Sequence, residues 1–169
     1  VFVEQVHSAD VAIVRSERDV HAMRERAHVA DALVTDRSDV ALAIMVADCV
    51  PVLLADEQRG VIAAAHAGRR GLLGGVLGAS VEAMVGLGAR PANIRALIGP
   101  SVCGRCYEVP EPMFLESVEI QPALASRTSW NTPALDLPAG AVAALRDAGL
   151  AAEGIEVLER CTLESEELF

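Results

Sequence analysis

Lysine is missing altogether from the 169-residue chain: arginine supplies all 14 basic residues, against 24 aspartates and glutamates, for a formal charge of −10. That balance excludes a large nucleic-acid or anionic-membrane surface, since both require clustered basic side chains. Aromatic residues are scarce as well, at 3 % of a chain that is 52 % apolar. Val, Ala, Leu and Ile must therefore fill the core, a usage that suits buried strands covered by Ala-rich helices. Cysteine is limited to Cys49, Cys103, Cys106 and Cys161. Four are too few for a disulfide-stapled secreted module of this length, so a reducing, cytoplasmic setting is expected. Long hydrophobic runs are absent too. The longest, Val40 to Ala47, is far short of the ~20 residues that cross a bilayer, and no signal peptide stands out. With no initiator Met at Val1 and an abrupt stop at Phe169, a trimmed fragment is expected. The length itself is that of one domain, and the expected partner is a small molecule.

The period of the apolar residues predicts the elements. Val1 to Val6, Asp10 to Val14 and Ala32 to Thr35 read as strands, and the charged piece from Arg15 to His28 reads as a solvated loop or short helix. Val40 to Val46 has the continuous apolar character of a central strand. A strand opening after Pro51, a turn over Asp56 to Gly60 and a strand from Val61 follow. Gly71 to Val85 switches to helical spacing despite four glycines. Ile94 to Ile98 and Ile155 to Glu159 are further strands. Glu111 to Val118 reads as a helix, Ser126 to Pro133 as irregular, and Pro138 to Ala148 as an amphipathic helix ended by Gly149. Strands that follow one another directly, mixed with strands joined through helices, predict a mixed α/β or α+β domain with helices flanking one sheet.

Between Val40 and Gly75, apolar runs are each cut off by a chemically capable residue: Cys49, then His66, then Gly68-Arg69-Arg70-Gly71. His7 closes a strand-like run near the amino end. One thiolate and two imidazoles suit Zn²⁺, and three protein ligands leave a fourth position for water or substrate. His7, Cys49 and His66 could be such a set, although they lie far apart in the chain. The competing reading makes Cys49 a small buried hydrophobe and His66 a strand-end polar residue. The Gly68 to Gly71 segment joins a strand to a helix start, where free amides and an arginine fork favour an anion; an ordinary turn with two solvated arginines is the alternative. Asp48 is a proton carrier or a strand-end carboxylate. Cys103-Gly104-Arg105-Cys106 lacks the second pair that a structural zinc wants, and reads as turn chemistry near a pocket. Cys161 reads as a core thiol, and His21 and His28 as surface residues.

Gln5-Val6-His7-Ser8, Ala30-Asp31-Ala32, Ala47-Asp48-Cys49-Val50-Pro51-Val52, His66-Ala67-Gly68 with Arg70-Gly71, Ile98-Gly99-Pro100-Ser101, Cys106-Tyr107-Glu108-Val109 and Cys161-Thr162 together resemble the YfiH-like, so-called polyphenol-oxidase laccase family. Their joint order spans most of the chain. The resemblance implies a single-domain α/β fold over residues 1–169 and a His-Cys-His zinc site, carried over onto His7, Cys49 and His66. It implies purine nucleoside phosphorylase activity, with adenosine deaminase and methylthioadenosine phosphorylase activities. It also carries two alternatives, a copper-dependent polyphenol oxidase and an amidase editing peptidoglycan precursors, the latter with Cys49 as nucleophile. Nucleoside and phosphate are the implied small-molecule partners, with Arg70 orienting phosphate and Asp48 moving a proton. Two departures fall on substrate contacts: Arg69 stands where the family usually has Trp, and its terminal Arg-Gly-Gly and Ser-Tyr-Arg-Arg segments have no counterpart here.

Overall fold

A computed structural model of the chain describes residues 1–26 and 28–168. The fold is a mixed α+β arrangement around a six-stranded mixed sheet. From the amino end come β1 (Val3–Glu4), β2 (Val11–Val14), α1 (Glu17–Glu25), β3 (His28–Val29) and β4 (Ala32–Thr35). A hairpin of β5 (Val50–Asp56) and β6 (Val61–Ala67) follows, then α2 (Arg69–Leu73), α3 (Val76–Gly86) and β7 (Arg95–Ile98). The remainder is α4 (Glu111–Ile120), β8 (Ala125–Arg127), β9 (Pro133–Leu135), α5 (Leu137–Asp147) and β10 (Ile155–Val157). Among the described residues, no helix is long and apolar enough to cross a membrane.

The sheet runs β10-β7-β5-β6-β4-β2, with β5 and β6 at its centre. The turn between them is tied by Asp56, which is fully buried and accepts hydrogen bonds from the amides of Gln58, Arg59 and Arg90. Alternation along the strands creates two faces. Val50, Val52 and Leu54 of β5, and Val61, Ala63, Ala65 and Ala67 of β6, join the main core under α3 and α5. The alanines give α3 little to stand off from, so its Val76, Leu77 and Met84 seat at full burial, each worth about 1.5–3 kcal/mol for a side chain of that size. The opposite face carries Leu33, packed with Val20 and Met23 of α1. On that face Leu53 is 51 % and Ile62 37 % exposed.

Three expectations are corrected. Val40 to Val46 is not a strand. It runs beside the amino-terminal segment, held by the Val1 nitrogen on the Ala41 carbonyl, the Ala43 amide on the Val1 carbonyl, and the Gln5 amide clasping both Met45 backbone groups. Met45 is 71 % exposed, so the apolar run never enters the sheet. The helix expected over Gly71 to Val85 is two helices, α2 and α3, because Gly75 takes φ +91°, a left-handed value that ends one helix and re-aims the next. The segment from Ser126 to Pro133 is framed by the antiparallel β8–β9 pair. Of the two readings left open for the charged piece after Arg15, the short helix is the one observed: α1 forms through a capping box in which Ser16 and Asp19 bond reciprocally.

Candidate functional site

His7, Cys49 and His66 are delivered by three parts of the chain. His7 sits in the loop between β1 and β2 in a left-handed conformation, φ 62°, which costs a non-glycine residue about 1–2 kcal/mol. Cys49 immediately precedes β5, and His66 is the penultimate residue of β6. The β5–β6 register sets Pro51 opposite His66, which brings Cys49 beside the end of β6. One nitrogen of each imidazole and the thiol sulfur lie within 4.8 Å of one another. The Cys49 sulfur is 3.6 Å from His7 Nε2, and the two rings meet edge to face at 4.7 Å between centroids. Gly68 leaves room for this convergence. A Cβ there would stand 2.6 Å from His7 Cδ2 and 3.0 Å from the Cys49 sulfur.

One buried carboxylate organises the group. Asp31, fully buried just ahead of β4, accepts hydrogen bonds from the amides of Val6 (3.2 Å), His7 (3.0 Å) and Ser8 (2.6 Å). Those three bonds hold the strained His7 loop in place. The same carboxylate takes a hydrogen bond from His66 Nδ1 at 2.8 Å, so Nδ1 carries the proton and the Nε2 lone pair is free for a cation. Burial works against the charged form of Asp31. The His66 ring and the Ser8, Val6 and His7 amides outweigh it and keep the carboxyl below the usual carboxylate range. For Cys49 the balance goes the other way: burial first, then the charges of Asp48 and Asp31, push the thiol above its ordinary value. That is the reverse of what a free nucleophile requires, and a divalent cation is the partner that would stabilise its thiolate. Two imidazoles, one thiol and a carboxylate backing one ring fit a borderline-soft divalent ion.

Beside these residues lies a cavity of about 380 Å³, within the range of small-molecule sites. Asp48, Arg69 and Arg70 supply its polar wall; Val102, Tyr107, Met113, Leu137 and Leu163 supply much of its apolar wall. Asp48 is fixed from two sides, its carbonyl accepting from the Val102 amide and its carboxylate from the Thr162 hydroxyl at 2.6 Å. Arg69 reaches toward the buried Ser117 hydroxyl on α4, at 3.4 Å. Arg70 is exposed on α2. With only five residues in α2, the guanidinium groups rather than the helix dipole give this wall its positive character. His21 lies apart on α1, paired with Glu25, and His28 lies in β3.

Residue-by-residue reading of the sequence left out Asp31, Thr162 and Tyr107 as working parts of the site. For Asp31 the available signal was an aspartate cut into an apolar stretch directly before a fully buried strand.

Comparison with known proteins finds the same architecture elsewhere. Purine nucleoside phosphorylase ORF3 of Streptomyces griseus is 50 % identical over 169 residues, covering all of this chain and 67 % of the relative. Adenosine deaminase RL5, from an unknown prokaryotic organism, is 33 % identical over 170 residues, covering 96 % of this chain and 64 % of the relative. The crystal structure of the hypothetical protein YfiH from Bacillus licheniformis superposes with a TM-score of 0.88 at 30 % identity, covering all of this chain and 66 % of that one. The chain thus spans about two thirds of the length of these relatives. Residues 1–169 match the family described as multi-copper polyphenol oxidoreductase laccase, and the chain belongs to that family.

Proposed function

We propose that the chain carries the catalytic site of a purine nucleoside phosphorylase, with adenosine deamination and methylthioadenosine phosphorolysis as related activities. The observation that carries this reading is the meeting of His7, Cys49 and His66 beside a cavity that His7 and Cys49 line and whose walls also present Arg70, Asp48 and an apolar surface. The names of the relatives, a purine nucleoside phosphorylase and an adenosine deaminase, supply the substrate class.

His7, Cys49 and His66 would hold Zn²⁺, whose contribution when bound is Lewis-acid polarisation of a substrate or water atom. In phosphorolysis a phosphate oxygen bonds to the ribose anomeric carbon as the bond from that carbon to the purine nitrogen breaks. The bonding pair leaves with the base, which takes up a proton. Arg70 is suited to orient the phosphate as a bidentate fork. Tyr107, Met113 and Leu137 offer the purine an apolar surface that excludes water. Asp48, with one oxygen engaged by Thr162, keeps another to accept or return a proton. In deamination water adds at the purine C6 and ammonia leaves.

The family description suggests a second reading, copper-dependent oxidation of phenols. A multicopper cluster rich in imidazole ligands is not available in this chain: of its four histidines, two converge and the other two lie on α1 and β3. Metal analysis followed by inosine, adenosine and methylthioadenosine with and without phosphate tests the proposal. Expected are zinc and phosphate-dependent base release, with one equivalent of zinc, that held by His7, Cys49 and His66, lost in Cys49→Ala and activity down by about 10²-fold or more. Oxygen uptake on phenols with copper and no base release would overturn it, as would activity that survives chelation yet dies on thiol alkylation, the signature of a Cys49 nucleophile.

A further inference from the structure

A second group of donors assembles outside the first. Cys103, Cys106, Cys161 and Glu164 each place a ligand atom within 4.8 Å of the others. In sequence they form two x₂-spaced pairs, Cys103-x₂-Cys106 and Cys161-x₂-Glu164, separated by α4, β8, β9, α5 and β10. Each pair sits on a tight turn. The Cys106 and Tyr107 amides both bond the Cys103 carbonyl, and the Glu164 and Ser165 amides both bond the Cys161 carbonyl. The turns are locked face to face by the parallel bridge between Ser101 and Cys161. The Cys103 amide also points at the Cys161 sulfur at 3.4 Å, the way metal-bound thiolates are commonly supported.

We propose that these four residues form a second metal site, a closed structural Zn²⁺ centre with three thiolates and one carboxylate. Two opposed turns with x₂ spacing are how zinc ribbons present their ligands, here with Glu164 in the fourth position. The Glu164 oxygens already stand 3.5 Å from the Cys106 sulfur and 3.9 Å from that of Cys103. Ligands on a tetrahedral zinc with Zn–S of about 2.3 Å lie about 3.8 Å apart, so small adjustments suffice. Arg105 holds Glu164 at 3.2 Å and offsets part of the negative charge that three thiolates bring. A Cys103–Cys106 disulfide would use only two of the four donors and leave Cys161, 7 % exposed, as an odd thiol. The consequence reaches the first cavity. Cys106 and Leu163 line it, and Thr162 holds Asp48, so the ion would clamp together the two loops that form one wall.

The test removes the first site and asks whether the second still loads. In Cys49→Ser, purified under reductant, about one equivalent of Zn²⁺ is expected to remain, and replacement with Co²⁺ alone should give sulfur-to-cobalt charge transfer of a tetrahedral multi-thiolate site. Cys106→Ser introduced into that background should abolish both signals, and Glu164→Gln should weaken binding by about 10–100-fold. Thiol titration needs no further variant: the three remaining cysteines should resist a thiol reagent until a chelator is added. Absence of metal from Cys49→Ser, three freely reactive thiols before chelation, or a mass about 2 Da low from a Cys103–Cys106 disulfide would each overturn the proposal.

Discussion

Asp31 does more for the site than any residue that faces the cavity, since it stabilises the left-handed His7 loop and directs the His66 ring at once. Asp31→Asn keeps the shape but loses the charge that three amides and an imidazole point toward. At neutral pH it should cost about 2–4 kcal/mol and weaken metal binding about 10–100-fold, measured by thermal melts and metal titration. The sign of the pH dependence follows from the depressed folded-state pKa. The stabilisation is complete above the ordinary carboxylate value near 4 and is lost as pH falls through the lower folded value. The gap in melting temperature between wild type and variant should therefore close over that acid window, and a constant gap would refute the assignment. Gly68→Ala makes a different prediction. Its Cβ would meet His7 Cδ2 at 2.6 Å, so the imidazole must swing aside. Metal affinity should fall sharply while the circular dichroism spectrum stays that of the parent.

Among the elements, α2 and α3 show what a pattern of apolar residues hides. Helical spacing runs straight through Gly71 to Val85, yet the chain turns at Gly75 with φ +91°. A Cβ at Gly75 or at Gly78 meets nothing within 4 Å, so sterics do not distinguish them and backbone conformation does. Gly75→Ala should destabilise by about 1–2 kcal/mol, whereas Gly78→Ala, inside α3, should stabilise by about 0.5–1 kcal/mol; denaturant melts separate the two. The same contrast explains what was legible. Strands β4, β5, β6 and β7 and helix α5 were readable because their own side chains state their burial. Val40 to Val46 was not, because its place depends on Gln5 and Val1 rather than on its hydropathy. Helix α1 hid its buried Val20 and Met23 among charges, although Ser16 and Asp19 announced its start. His7, Cys49 and His66 could be nominated by residue type and family resemblance. The role of Asp31 depends on partners 23 to 35 residues away, and the pairing of Cys103 and Cys106 with Cys161 and Glu164 is a tertiary fact that no local spacing carries.

At the scale of the molecule, the sheet places its longest strands, β5 and β6, at the centre and the short β2 and β10 at the edges. Native-state amide exchange should be slowest in β5 and β6 and faster in β10, whose outer edge has no strand beside it among the described residues. Metal removal should raise exchange around residues 5–9 and 161–164 while leaving that centre protected. Uniform acceleration across the sheet would contradict a division between a self-sufficient core and loops braced by ions. The pairing of Pro51 with His66 has one more consequence. Sliding the hairpin by a single residue would turn the imidazole toward the helices and strand the thiol on the wrong side. Under the proposed metal assignment, ion uptake would act as a proofreading signal for strand alignment: a misregistered chain can be compact and well hydrogen-bonded, yet it would not load at the His66 position.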